Sequence, residues 1–81
     1  MENFKLPDIV VMRWNEAVAI KNAQDSIRAW RSLSDFAAIN SEIIRRISPD
    51  DITASALHGV SEEAYKRYIQ LQKVNEHADA T

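Results

Sequence analysis

The sequence contains no cysteine. That removes disulfide frameworks, thiolate zinc sites and cysteine nucleophiles, and it fits a reducing compartment. Glycine occurs once and proline twice in 81 residues. So few chain breakers exclude a Gly-rich phosphate loop and argue against sheets, which need many turns. Apolar runs are short, Ile9-Val10-Val11-Met12 being as long as any, and fall far below a membrane span. No basic stretch followed by a long apolar run opens the chain, so no signal peptide is expected and the cytoplasm is the default location. A basic excess is also missing. Lys and Arg number 10 against 12 Asp and Glu, for a net charge of −2. Affinity for phosphate needs clustered Lys and Arg, so nucleic acid is not the first partner to expect.

What remains is a chain of ordinary globular composition, 46% hydrophobic and 27% charged. Its length suits one domain, expected to span 1–81 with a flexible lead-in over 1–7 and a flexible tail over 77–81. A domain this small buries only about 60–65% of the surface its unfolded chain exposes, so a partner or a second copy would add much to its stability.

Helical spacing dominates. Val10, Trp14, Ala17, Ile20, Ala23, Ile27 and Trp30 recur at steps of three and four, which predicts a first helix over roughly 8–31. Its start is ambiguous, because Ile9 to Met12 is equally a short strand pattern. Ser32-Leu33-Ser34-Asp35 carries a capping-box spacing and opens a second helix over about 35–47, with Phe36, Ile39, Ile43 and Ile47 as its inner stripe and Ile44 beside it. Ser48-Pro49-Asp50-Asp51 is the clearest helix start, a capping serine followed by proline and two acids, and it predicts helix three over about 49–58. Gly59 would end that helix in a left-handed residue, with His58 serving its last carbonyls. Ser61-Glu62-Glu63 then restarts the chain, and helix four runs over about 62–76 on Ala64, Tyr65, Tyr68, Leu71 and Ile69. The expectation is an all-α domain of about four helices joined by short, capped links.

Residues 52–70 resemble the helix-turn-helix family of DNA readers, with Gly59 at the turn and Ala54, Val60 and other apolar positions inside. The resemblance implies DNA contacts from Ser61, Lys66, Arg67 and Gln70. Against it, Glu62 and Glu63 would lie beside the phosphates, and charge placed at a helix start explains both. Ser55 stands where the motif wants alanine, and His58 is a poor inner residue.

Enzyme chemistry is not expected. The two histidines, without a thiol, complete no nucleophile–base set. Asp50 and Asp51 are neighbours on a helix start rather than a facing pair, and His77 with Asp79 is too weak a pattern for a metal. No cofactor or small-molecule substrate follows from any of these residues.

The tryptophans carry the remaining signal. On one straight helix Trp14 and Trp30 would share a stripe about 24 Å apart, longer than a small bundle easily covers. Arg13, Arg28 and Arg31 flank them, and Trp and Arg are among the residues most enriched at binding hot spots. The chain therefore reads as a small interaction module, a regulator, adaptor or inhibitor that binds another protein or itself through these residues. A phage- or plasmid-encoded modulator of a host protein would suit its size. A helix-turn-helix DNA-binding regulator using residues 52–70 is the alternative.

Overall fold

The structure, a computed structural model, describes the backbone over residues 7–80 and side chains over 7–75. It is all-helical, with three helices rather than four: α1 (Asp8–Ala19), α2 (Ala23–Ile47) and α3 (Ile52–Ala80). α2 and α3 form a long antiparallel hairpin, and α1 folds back along α2. The molecule is a rod of 52 × 21 × 17 Å.

Of the expected helix boundaries, only the start near residue 8 and the link near 48–51 are kept. Ile9 to Met12 is helical, not a strand. The first helix stops early, because Ile20 and Asn22 adopt extended backbone angles. Asn22 then caps α2, its Oδ1 accepting from the Asp25 amide at 3.1 Å. Asn22 and Asp25 have the same spacing as the Ser32–Asp35 pair, but only the former starts a helix. α2 runs straight through Ser32 and Ser34, and Asp35 pairs instead with Arg31 one turn back, at 3.4 Å.

The second link is real but capped three residues later than its serine suggests. Ser48 ends α2, its amide bonding the Ile44 carbonyl at 2.7 Å. A tight turn joins Ser48 to Asp51, and the Asp51 Oδ1 accepts the Thr53 amide at 2.8 Å. That amide bond, made to the ionised form, holds the Asp51 carboxyl below the usual carboxylate range. The cap is therefore complete above that range and is lost as acid protonates Asp51.

The break expected at Gly59 is absent. α3 continues through His58, Gly59, Val60 and Ser61, and no residue with positive φ occurs among the described residues. His58 is a mid-helix residue whose Nε2 lies 2.8 Å from Glu62 Oε1. Glu62 and Glu63 therefore sit inside α3, not at a helix start.

Small residues explain this continuity. Ser34, Ala37 and Ser41 of α2 are buried against Ala54, Leu57, Ser61 and Ala64 of α3. On α3 those positions alternate at steps of three and four, the spacing of a helix–helix seam. Three serine hydroxyls bond across the seam. Ser34 Oγ donates to the Ser61 carbonyl at 2.9 Å, and Ser61 Oγ donates back to the Ser34 carbonyl at 2.8 Å. Ser41 Oγ donates to the Ala54 carbonyl at 2.6 Å. Each carbonyl has a second lone pair, so the helical ladder is not broken to make these bonds. No buried polar side-chain atom among the described residues lacks a partner.

At the α1 end the core is larger-grained. Val10 and Ala17 of α1 meet Trp30, Leu33 and Ala37 of α2 and Leu57 and Ala64 of α3. Trp14, Phe36, Val60, Tyr68 and Leu71 pack around this cluster.

Candidate functional site

The break at Ile20–Asn22 changes the geometry of the two tryptophans. They are not spread along one helix. α1 folds back on α2, and the rings of Trp14 and Trp30 meet edge to face, centroids 4.9 Å apart at 82°. Trp30 is buried at 3% exposure and belongs to the core, whereas Trp14 is half-buried. Arg67 of α3 lies against both rings, its guanidinium 5.0 Å from the Trp14 centroid and 4.9 Å from that of Trp30. A cation over two indole faces is well placed electrostatically, and here it ties α3 to α1 and α2.

Two other arginines, Arg13 and Arg31, are also engaged within the chain. Arg13 lies 4.7 Å over the Phe36 ring. Arg31 lies 5.3 Å over Tyr68, donates to its hydroxyl oxygen at 3.4 Å and pairs with Asp35. The hydrogen bond to Tyr68, then the charge of Asp35, hold the Arg31 guanidinium more firmly protonated. Arg28 is exposed and lines a shallow hollow with Arg31, Asp35 and Tyr68. The arginine–aromatic contacts thus form an internal clasp more than a free surface.

The residues expected to contact DNA do not sit in a helix-turn-helix. Residues 52–70 lie in one uninterrupted helix, so no turn sets a second helix at an angle to the first. Ser61 is buried in the seam, and Arg67 is held by the tryptophans. Lys66, Arg67 and Gln70 are all exposed, Arg67 while its guanidinium lies against the two rings. Among the described residues there is no group of acids and histidines able to hold a metal ion. His77 and Asp79 lie outside the residues whose side chains are described. No helix among the described residues is long and apolar enough to cross a membrane.

The free apolar surface lies elsewhere, in two places. The first is α1. Eight of its 12 residues, DIVVMRWNEAVA, are apolar, yet only Val10 and Ala17 are buried. Ile9, Val11, Met12 and Val18 remain exposed. α1 packs its backbone on α2 alone, and toward α3 it leaves open grooves on either side of the Arg67 clasp. One, of about 280 Å³, is lined by Val10, Val11, Trp14 and Val60. The other, of about 370 Å³, runs past Ala17, Val18, Trp30, Leu71 and Val74.

The second place is the far half of the hairpin. Ile39, Ile43 and Ile47, expected as the inner stripe of α2, are 59%, 48% and 76% exposed. The seam runs instead through Ser34, Ala37 and Ser41, with Ile44 half-buried beside it. Ile52 is 60% exposed at the start of α3. Sequence reasoning missed these surfaces because it assigned large apolar residues to the core and serines to helix caps. The available signal was the Ser34, Ala37, Ser41 spacing, a small-residue stripe next to the isoleucine row. Comparison with known proteins gives no match: no family model, no curated protein and no solved structure is significantly similar to this chain.

Proposed function

We propose that the chain is a small protein-interaction module, a regulator, adaptor or inhibitor, and that α1 carries its partner-binding face. The observation behind this reading is the mismatch between the composition of α1 and its cover. A helix apolar around most of its circumference is ordinarily buried on most sides. α1 is covered on one side, and Ile9, Val11, Met12 and Val18 face outward. Exposed apolar surface concentrated on one short helix fits a protein contact site. The grooves between α1 and α3, with Trp14 and Val60 on one side of Arg67 and Val18 and Val74 on the other, would take apolar anchors from a partner helix. Of the contact residues expected from the sequence, Trp14 and Arg13 belong to this face. Trp30 supports it from below.

The test is affinity capture from source cells with the wild-type chain and with Val11→Lys and Val18→Lys. Both valines are exposed, so the variants should keep wild-type helical content by circular dichroism. A protein captured by the wild type and lost from both variants supports the reading. Equal capture by all three moves the contact face away from α1, and no specific capture by the wild type removes the function.

A further inference from the structure

We infer that the groove on the Val18 and Val74 side of Arg67 receives a tyrosine from the partner, with a partner carboxylate one turn away seated on Arg67. This deepens the partner-binding reading and rests on it. The observation that carries it is Ser26. Four serines are buried among the described residues, Ser26, Ser34, Ser41 and Ser61. The last three bond carbonyls across the hairpin seam. Ser26 is only 8% exposed, yet its hydroxyl makes no hydrogen bond to a described residue. Every fully enclosed polar side-chain atom among the described residues has a partner. The Ser26 oxygen must therefore open to the groove of about 370 Å³ that this residue lines.

The rest of the lining selects the group that meets it. Ala17, Val18, Trp30, Leu71 and Val74 make apolar walls. A purely aliphatic anchor would suit those walls but would strip water from the Ser26 hydroxyl and return no bond. A short polar side chain would meet the hydroxyl and leave the walls uncovered. Tyrosine has a large apolar ring with a hydroxyl at its far end, able to donate to Ser26 or accept from it. The groove is near the lower size limit of ligand pockets, which suits one ring.

Arg67 and Gln70 supply the other polar groups of the lining, and Arg67 is its charge. Arg67 is exposed, lies over both tryptophan rings and makes no ion pair or hydrogen bond with a described residue. Glu63, one turn before it on α3, is exposed and does not pair with it. The rings thus hold the guanidinium in place while its N–H groups stay available, and their fork matches a carboxylate. Ser26 lies one helical turn, about 6 Å, from Trp30 along α2, and Arg67 lies over Trp30. A tyrosine and an acid one turn apart on a partner helix match that offset.

NMR titration with three small compounds tests the anchor, read at the Trp30 indole and the Ser26 amide. Para-hydroxyphenylpropionate has the ring, the hydroxyl and the carboxylate. Phenylpropionate lacks the hydroxyl, and para-ethylphenol lacks the carboxylate. The wild type should bind the first about three- to tenfold tighter than phenylpropionate. It should bind it about two- to fivefold tighter than para-ethylphenol. Ser26→Ala, a good helix former, should erase the first difference and keep the second. Val11→Lys, at the other groove, should change neither. No shift at the two reporters overturns the inference. So does equal binding of the two propionates by the wild type, or a preference that survives Ser26→Ala. In the capture assay, excess para-hydroxyphenylpropionate should release the protein held by the wild type, and Ser26→Ala should hold less of it. A compound that binds but releases nothing also overturns the inference, because the groove then takes free small molecules and not the partner. The titration needs no partner. It can fail while Val11→Lys and Val18→Lys still abolish capture, and then the tyrosine anchor falls and the partner-binding reading stands.

Discussion

Arg67 and Gly59 show how single residues take roles that their type does not announce. Arg67 looks like a phosphate contact on the outside of a helix, but its guanidinium lies on two indole rings and closes the α1 end of the molecule. A delocalised, weakly hydrated cation suits that position, and a lysine would not stack in the same way. Gly59 looks like a helix terminator but is an ordinary turn of α3 with negative φ. A glycine inside a helix costs about 0.5–1 kcal/mol relative to alanine, because it gives up more backbone freedom on folding. A Cβ built at Gly59 meets nothing within 4 Å. Gly59→Ala should therefore stabilise the chain by about 0.5–1 kcal/mol, raising the midpoint of thermal unfolding by a few degrees. A destabilising Gly59→Ala would mean that the helix breaks or bends here, as a helix-turn-helix would require.

At the scale of elements, the serine seam decides the fold. Ser34, Ser41 and Ser61 let α2 and α3 approach closely, and their hydroxyls bond carbonyls on the facing helix. Ser61→Ala removes one such bond and leaves the fit intact, so it should cost about 0.5–1.5 kcal/mol. Ser61→Leu forces a branched side chain into the seam and should cost more, about 1–3 kcal/mol or above. Denaturant unfolding of the two variants checks the order; a Leu variant as mild as the Ala variant would show that the helices are not closely packed here. The same seam explains what could be read in the sequence. The all-α class and the link near 48–51 were legible, because turn chemistry and helical spacing are local. The buried members of the first stripe, Val10, Ala17 and Trp30, were also legible as apolar positions. The number of helices was not. Ser32-Leu33-Ser34-Asp35 and Ser61-Glu62-Glu63 match the local pattern of a capped start, and only contact with the other helix turns Ser34 and Ser61 inward. Once the serines take the seam, Ile39, Ile43 and Ile47 fall on the outer side of α2, a consequence of the 3.6-residue period that no local signal displays. The meeting of Trp14 and Trp30 was hidden for a related reason: Asn22, not Ser32, marks the break that brings the rings together.

For the whole molecule, cover is uneven along the rod. α2 and α3 bury their seam over most of the length, while α1 is held through α2 and a few long side chains, chiefly Trp14 beneath Arg67. Local stability follows buried contact, so the hairpin and α1 should not open with the same free energy. Opening α1 exposes Val10, Trp14 and Ala17 and uncovers one side of Trp30 and Leu33, but it leaves the serine bonds of the hairpin untouched. Native-state hydrogen exchange should therefore show two classes of amide. Those of α1 should exchange through a low-energy opening, and those around Leu33–Ala37 and Leu57–Ala64 only near the global unfolding limit. Trp14→Ala should speed exchange across α1 and change the hairpin amides little, because it removes the ring that anchors α1 to Arg67 without entering the seam. Equal protection of α1 and the hairpin in the free chain would show that α1 is locked into one cooperative unit. In that case its outward valines would be fixed in place before any partner arrives, and binding there would be a rigid docking rather than one that also steadies α1.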